Sequence, residues 1–460
     1  MTTGAAPAPA DGAAGGSGSL GTDEASGVAG DGPGPTPDSG VTAKSLERNS
    51  LALTVSAALT GILGLGYWAL LGRHYPAREV GAASAVITTA TMLSAFGNIS
   101  LGALFERFLP LAGIRGSSLV RTGFLVGGCG GLLLGALFLL WGPTDEMFDS
   151  PLEAASFPLI VLVFSAFALL DHTSVGLREA GWAATKNVTH AVVKLVAALA
   201  LAFTASRLAI IWTWTVPALI AALVLGAAVA RRLRRPDLAH AASQLPGNRE
   251  MGSFLAGSYG IYVVGSLAPL MLPLIVVAKM GADHNAYFSI AWSLVSAVLV
   301  LMTVLMGPYV AGVAADPGQV RELTRRFLVV LAVVTVAGVV LFAGIAPVLL
   351  QIVGDEYADT GTPLLRLAAI ALIPAIVGFA YNAVARVRRR LRLAIAVQVA
   401  NAALVLGLSL AFIGDHGLVA IGWAYVVAET VSAVVLIVPL VRAVRALGRE
   451  PLDAQPASVI

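Results

Sequence analysis

Three nitrogen-bearing side chains, those of Lys186, His190 and Lys194, recur every fourth residue within a largely apolar stretch. In an α-helix this spacing places them on one face, spread over about two turns. Ionisable groups at membrane depth are costly and usually face a cavity or a partner. A row of cationic side chains along a cavity would bind an anionic group such as a pyrophosphate. The alternative for Lys186 is a position at the membrane interface, with its ammonium extended to water.

Other polar and ionisable residues lie inside apolar stretches or at their ends, namely Asn98, Asp171, Arg366 and Glu429. Asp171 is followed by His172, and this pair can carry a proton because histidine titrates near physiological pH. The alternative is that both are interfacial polar residues. Glu429 lies near the middle of the last apolar stretch, where it would bind a coupling cation or pair with Arg366 or Lys194. Asp171 and Glu429 are therefore the candidates for ion coupling.

The sequence contains no pattern typical of a metal, cofactor or nucleotide site. Cys129 is the single cysteine, so no disulfide can form within the chain and no Cys/His metal spacing exists. There is no Walker motif, and no predicted outer loop is long enough for a catalytic domain. We therefore predict a protein that is not an enzyme and needs no cofactor, with a membrane glycan polymerase or ligase as an alternative.

Twelve apolar stretches are long enough to span a bilayer, because a spanning helix needs about 20 mostly apolar residues. Hydrophobic residues make up 57% of the chain and charged residues 12%, with a mean hydropathy of +0.85. This composition excludes a soluble enzyme and predicts an all-α polytopic membrane protein. The predicted spans are residues 49–72, 81–103, 119–141, 155–175, 188–206, 208–230, 253–279, 285–311, 327–350, 363–384, 393–414 and 417–441.

The basic residues predict the topology. If the N-terminus is inside, the inner segments hold most of the 29 Lys and Arg residues, and cationic loops resist translocation. The outer loops keep few basic residues, among them Arg207, and two of these loops are acidic, at Thr144–Asp149 and Asp355–Asp359. We therefore predict a multi-pass protein of the cytoplasmic membrane with both termini in the cytoplasm. Its basic inner face is predicted to contact anionic membrane lipids and no nucleic acid.

Tryptophans mark the outer ends of several predicted spans. Trp68, Trp141, Trp212 and Trp214 all lie near such ends. Tryptophan is enriched at membrane–water interfaces, where its amphipathic ring is at headgroup level. We therefore predict that these four residues are interfacial anchors.

An internal repeat organises the chain. One constant shift aligns Asp171 with Asn382 and His190 with Asn401, and a similar shift brings Gly81–Ala85 onto Asn285–Ser289. Six spans per repeat is an even number, so both halves have the same orientation, as in transporters whose substrate site lies between two repeats. The predicted domains are an N-terminal six-helix bundle (44–230), a basic cytoplasmic linker (231–251) and a C-terminal six-helix bundle (252–446).

The two termini differ from the rest of the chain. Residues 1–43 are rich in Gly, Ala, Pro, Ser and Thr and contain no aromatic residue, so they cannot bury enough apolar surface to fold. They also lack the basic start and apolar core of a signal peptide. We predict a disordered cytoplasmic tail there and a short cytoplasmic tail at 447–460. A docking role for the first tail, on a transporter fold that acts as a scaffold, is the alternative.

Several segments carry a family resemblance. Gly354–Asp359, Leu364–Leu367, Tyr381-Asn382 before the Arg-rich loop, and Gly417–Tyr425 resemble the C-terminal half of polysaccharide-biosynthesis (Wzx-like) flippases. Leu46–Ser50 and Leu71–Gly81 resemble their first helix pair. The resemblance covers residues 44–446 and extends to the multidrug/oligosaccharidyl-lipid/polysaccharide exporter superfamily. It implies a MATE-like fold in which two six-helix bundles form a V around a central cavity.

The resemblance also implies a substrate and a mechanism. Such proteins move polyprenyl-pyrophosphate-linked glycans across the cytoplasmic membrane by alternating access through a cationic cavity. The match adds Arg48 and Arg107 to His190, Lys194 and Arg366 as candidates for contact with substrate phosphate. The implied partners are the lipid-linked glycan, membrane lipids and proteins of cell-envelope glycan biosynthesis. The first span has no acidic residue, which disfavours drug export, yet a multidrug or small-metabolite exporter on the same fold remains the alternative.

Overall fold

Helices make up nearly all of the part of the chain that the structure describes. The computed structural model describes residues 59–204, 206–388 and 390–447, and within these ranges no residue lies in a β-strand. The predicted all-α class is confirmed. In chain order the helices are α1 (59–74), α2 (Ala77–Gly97), α3 (Leu101–Phe108), α4 (Gly116–Trp141), α5 (Thr144–Met147), α6 (Pro151–Gly176), α7 (Ala180–Ala200), α8 (Arg207–Leu233), α9 (Pro236–Ala239), α10 (Asn248–Met280), α11 (Ala282–Val304), α12 (Met306–Ala315), α13 (Val320–Val340), α14 (Ala346–Val353), α15 (Asp355–Val387), α16 (Arg392–His416) and α17 (Val419–Ala446).

Nine helical spans among the described residues are long and apolar enough to cross a membrane. Two of them join several helices: Ala282–Ala314 contains α11 and most of α12, and Pro317–Val353 contains α13, a π-helical segment and α14. The other predicted spans correspond to α1, α7 and α10. α7 carries two lysines and a histidine, and α10 contains the apolar segment Leu267–Met280. The predicted positions of the spans therefore agree with the helices of a multi-pass membrane protein.

The second predicted span is interrupted. α2 ends at Gly97 and α3 begins at Leu101, while Ile99 and Ser100 have φ angles of 46° and 54°. A β-branched residue rarely adopts this left-handed conformation. Two hydrogen bonds to Ser165 on α6 stabilise the interruption between α2 and α3. Ser165 Oγ donates to Asn98 Oδ1, and Asn98 Nδ2 donates to the Ser165 carbonyl oxygen.

The described residues belong to one compact unit, and within it the predicted linker packs on the N-terminal half. Ile114 N donates to Ala241 O and Gln244 N donates to Leu111 O, both at 2.9 Å. Arg232 Nη1 donates to Asp237 Oδ2 at 2.8 Å, and this charged hydrogen bond lowers the pKa of the Asp237 carboxyl group. The domain boundaries themselves remain predictions, and residues 1–43, Arg48 and the tail beyond Leu447 lie outside the described residues.

The two halves, α1–α8 and α10–α17, meet at one end of the bundle. We call it the outer end: it is where α2, α6, α8, α11 and α15 begin, opposite the basic residues at the end of α8. α2 packs against α10 and α11 there, and Arg73 Nη1 donates to the Ile352 carbonyl oxygen at 2.8 Å. At the opposite end, α3 contacts the beginning of α10, where Phe108 packs edge-on against Phe254.

Candidate functional site

Lys186, His190 and Lys194 occupy one buried face of α7. Their residues are only 6%, 8% and 6% exposed, and the face packs against α6 and α8. Each four-residue step advances the position along the axis by about 6 Å, so the row extends through much of the helix. The i, i+4, i+8 pattern therefore places the three groups together inside the N-terminal half.

Lys186 has an anionic partner. Its Nζ lies 2.8 Å from Asp171 Oδ1 and donates to the Phe167 carbonyl oxygen at 2.6 Å. The ammonium also lies 3.3 Å from the centroid of the Phe167 ring, and Asn187 Nδ2 donates to Asp171 Oδ2 at 3.2 Å. Asp171 is thus occupied by two neighbours on α7. His172 has a different partner, Glu106 Oε1, at 2.7 Å.

His190 is held by α8. Its Nε2 lies 3.1 Å from the Trp214 carbonyl oxygen. A carbonyl oxygen only accepts, so Nε2 must carry the hydrogen. The imidazole also packs between two rings, with centroids 4.9 Å from Phe167 and 5.7 Å from Trp214.

Lys194 lies among aromatic rings. Its Nζ is 3.6 Å from the Trp214 ring centroid and 5.1 Å from that of Tyr67. Cation–π attraction stabilises an ammonium in this position. Among the described residues, no carboxylate or hydrogen-bond acceptor pairs with this Nζ. We call Lys194, Tyr67, Trp214 and His190 the Lys194 cluster.

The sequence analysis missed the aromatic part of this cluster. Trp214 is not an interfacial anchor, because its ring contacts His190 and Lys194, and Trp68 packs 6.3 Å from it. Trp141, by contrast, is 81% exposed, as an anchor would be. A signal was present in the chain: Trp214 and Lys194 lie at nearly equal distances from the turn between α7 and α8, so an antiparallel hairpin places them at one level.

The C-terminal half carries a carboxylate in the corresponding place. Asn401 Nδ2 on α16 donates to Glu429 Oε1 at 3.2 Å and to Ser432 Oγ at 3.0 Å. Neither of the ion pairs predicted for Glu429 forms, and it has no cationic partner among the described side chains. Asn401 aligns with His190 in the repeat. Each lies on the fifth membrane span of its half, α16 or α7, and faces the sixth span, α17 or α8. One half therefore presents lysines at this level and the other a carboxylate.

The remaining predicted cationic residues are elsewhere. Arg107 on α3 is exposed, with its guanidinium carbon 4.6 Å from the Phe254 ring centroid. Arg366 on α15 is exposed, and no ion pair joins it to a described residue. Arg48 lies outside the described residues. Of the five predicted phosphate-contacting residues, the structure brings together only His190 and Lys194.

A buried ion network at the outer end was also missed. Arg207, assigned to an outer loop by the sequence analysis, is only 2% exposed at the start of α8. Its Nη2 lies 3.1 Å from Glu79 Oε1 and 2.9 Å from Asp149 Oδ1, and its backbone N donates to Glu79 Oε2 at 2.8 Å. The network fastens the first turn of α2 to α8 and to the loop before α6.

Comparisons by sequence give no relative, because no family model and no curated protein matches the chain. Solved structures do match. An inward-facing conformation of a multidrug resistance MATE family transporter of the MOP superfamily has a TM-score of 0.61 and 14% identity, covering 85% of this chain and 96% of that chain. The MATE multidrug transporter DinF-BH, solved as a complex, has a TM-score of 0.59 and 16% identity, covering 87% and 95%. The fold is that of the MATE transporters.

A third matching structure is described by the polarity of its pocket. It is a MOP superfamily transporter from Pyrococcus furiosus, for which a reverse polarity of the binding pocket is said to suggest a different function. Its TM-score is 0.57 at 14% identity, covering 89% of this chain and 97% of that one. These likenesses confirm the predicted MATE-like fold. The narrower resemblance to Wzx-like flippases remains a prediction.

Proposed function

We propose that this protein is a membrane transporter that moves an anionic, lipid-linked glycan across the cytoplasmic membrane by alternating access. The observation that carries the proposal is the Lys194 ammonium, buried inside the N-terminal half without an anionic partner among the described residues. A buried cation is costly unless it is paired. A substrate phosphate would supply the missing anion.

The three α7 groups differ in what they can offer a substrate. Lys186 is already paired with Asp171 at 2.8 Å, and His190 uses Nε2 on the Trp214 carbonyl oxygen. Lys194 keeps all three ammonium hydrogens for an incoming acceptor. We therefore assign the phosphate contact to Lys194 and a supporting role to Lys186 and His190.

The MATE-like fold supports a transport mechanism for such a substrate. Sugar hydroxyls and phosphates lose their hydrogen bonds to water in the hydrocarbon core, so the headgroup cannot cross unaided. A polar path between two halves that open in turn to each side replaces that water. The lipid tail needs no such path and can remain in the bilayer. The predicted location, termini and glycan-biosynthesis partners belong to this proposal.

A second candidate function, export of a cationic compound, is favoured by Glu429. This carboxylate has an amide and a hydroxyl nearby but no cationic partner among the described side chains. A cationic substrate or a coupling cation would neutralise it. Multidrug transporters are among the matching structures. In this alternative Glu429 replaces Lys194 as the residue that contacts the substrate.

The deciding experiment uses liposomes that contain the purified protein and a fluorescent polyprenyl-pyrophosphoryl oligosaccharide. The measured quantity is the rate at which the oligosaccharide becomes accessible to an impermeant glycosidase on the far side. We expect transfer above protein-free liposomes, lost in Lys194→Met and retained in Lys194→Arg. Lys279→Met is the matched control, because Lys279 is exposed at the end of α10.

Four outcomes separate the alternatives. Absence of transfer by folded wild-type protein refutes the flippase proposal, and transfer that persists in Lys194→Met refutes the role of Lys194. Efflux of a cationic dye that is lost in Glu429→Gln supports the second candidate function. A longer glycan after incubation, measured by mass spectrometry, would instead indicate a polymerase.

A further inference from the structure

A buried polar contact joins the two halves at the outer end, where α2 crosses α11. Asn285 on α11 is completely buried, and its Nδ2 donates to the Gly81 carbonyl oxygen at 2.8 Å and to Ser84 Oγ at 3.0 Å. Ser84 Oγ also lies 3.0 Å from Ser289 Oγ. We call Gly81, Ser84, Asn285 and Ser289 the outer seam.

The two backbones approach very closely in the outer seam. A Cβ atom built on Gly81 would overlap the Ala282 carbonyl oxygen and would lie 2.9 Å from Ala286 N. Only glycine permits this approach. The segments that meet here, Gly81–Ala85 and Asn285–Ser289, are also the ones that the repeat aligns. Equivalent segments of two repeats meet where the symmetry axis passes, so the seam lies on the axis that relates the halves.

The amino-acid composition of the outer seam allows its two sides to separate. Its contacts come from glycine, alanine, serine and asparagine, which expose little apolar area when they part. Their hydrogen bonds contribute little in net terms, because water replaces them on exposure. The four residues of the outer seam can therefore part at a small cost. Large apolar side chains lie beside the seam, where Ile290 on α11 and Val353 on α14 approach Gly72 on α1, and they also fill the contacts inside each half, such as Phe105 against Phe124.

The N-terminal side of the seam is fastened to its own half. Glu79, one half-turn before Gly81, is held by Arg207 at the start of α8. Arg207 in turn contacts Asp149 before α6. The first turn of α2 is thus attached to two other helices of the same half, so the seam opens between the halves rather than by unwinding of α2.

The outer seam lies nearer the outer end of the bundle than the Lys194 cluster does, because Gly81 is only four residues from the start of α2. Lys194 lies six residues before the outer end of α7, which is about 9 Å along the helix axis. We infer that the outer seam is the outer gate of the transporter, closed in this structure, and that its Asn285 and Ser84 hydrogen bonds break each time the outer side opens. This inference rests on the proposed transport function.

The test is a reversible cross-link in a Cys129→Ser background, which removes the single cysteine. Ser84→Cys and Ser289→Cys place two thiols across the seam, and copper phenanthroline oxidises them to a disulfide with transfer of two electrons to the oxidant. We expect transport to fall at least tenfold on oxidation and to recover with dithiothreitol. Ala291→Cys with Gly361→Cys, a pair within the C-terminal half whose Cβ atoms would lie 3.3 Å apart, is the matched control and should leave transport unchanged by oxidation.

A second readout does not depend on the substrate. The single variant Ser84→Cys is treated with an impermeant maleimide from the outer side, and labelling should require opening of the seam. Labelling should therefore stop in protein locked by a disulfide between Gly72→Cys and Val353→Cys, an independent contact between the halves at the outer end, where a Cβ on Gly72 would overlap Val353 Cγ1.

These experiments distinguish failure of the proposed gate from failure of the proposed transport function. A disulfide between positions 84 and 289 that forms without loss of transport refutes the gate, and failure to form it in folded protein refutes the closed contact. A third outcome is that the Ser84→Cys variant in the Cys129→Ser background is labelled by the maleimide only when the halves are not cross-linked, yet moves no glycan lipid. This outcome would refute the proposed substrate and would support the gate.

Discussion

Enlarging Gly81 by one methyl group should push the outer seam open. A Cβ at this position would lie 2.6 Å from the Ala282 carbonyl carbon and 2.9 Å from Ala286 N, whereas carbon atoms in contact normally lie about 3.5–4.0 Å apart. In Gly81→Ala, α2 and α11 must therefore separate by about 1 Å. That shift stretches the hydrogen bonds of Asn285 to Gly81 and Ser84, now 2.8 and 3.0 Å, beyond useful length.

The Gly81→Ala substitution raises the free energy of the closed state and leaves that of the open state unchanged. Loss of two hydrogen bonds at about 1 kcal/mol each and overpacking of about 1 kcal/mol or more disfavour closure by about 3 kcal/mol. This corresponds to about a hundredfold change in the ratio of closed to open molecules. The free energy of unfolding should change much less, because the overlap disappears once the halves part.

The assay is a distance measurement across the outer end by electron paramagnetic resonance. Spin labels are attached at Asp145→Cys and Asp355→Cys, both exposed and on different halves, in the Cys129→Ser background. We expect Gly81→Ala to enrich a longer-distance population. Gly226→Ala is the control, because a Cβ at Gly226 on α8 meets no atom within 4 Å. An unchanged distance distribution in folded Gly81→Ala would show that the outer seam does not set the position of the halves.

Two further predictions concern the buried ions. Asp171→Asn leaves the Lys186 ammonium, 3% exposed, without its carboxylate and should lower the free energy of unfolding by about 3 kcal/mol; thermal unfolding in detergent measures this, and Asp171→Asn combined with Lys186→Met should recover part of the loss. Arg207→Met should destabilise the protein by a similar amount, about 3–5 kcal/mol, whereas Arg325→Met, at a solvent-exposed ion pair, should leave the unfolding temperature unchanged. Equal unfolding temperatures for both arginine variants would refute the structural role of the Arg207 network.

Much of the helical arrangement could be predicted from the sequence, because crossing a bilayer imposes a length and a hydropathy on each helix. The alignment of Lys186, His190 and Lys194 could also be predicted, because residues four positions apart lie on the same face of a helix. The pairing of Lys186 with Asp171 was also accessible: both residues lie nearly equally far from the α6–α7 turn, and an antiparallel hairpin brings such positions together. The sequence analysis did not apply that symmetry and paired Asp171 with His172 instead.

Other features could not be read from the chain. Hydropathy does not distinguish an outer-loop arginine from Arg207, which is buried by carboxylates of distant segments. The break after Gly97 depends on Ser165, a residue of another helix. The repeat predicted that Gly81 and Asn285 are equivalent, but equivalence does not give the distance of either residue from the symmetry axis, so their direct contact needed the structure.

The repeat has a consequence for the direction of binding. His190 and Asn401 occupy matching positions, as do Trp214 and Tyr425, whose ring packs 5.0 Å from Trp292. The two repeats differ in their charged residues at this level. Lys194 aligns with the buried Val405, and Glu429 has no acidic counterpart on α8. An anionic headgroup between the halves is therefore attracted to α7 and repelled by α17. If the proposed substrate is correct, it should be held by the N-terminal half throughout transport, and Glu429→Gln should strengthen its binding while Lys194→Met weakens it.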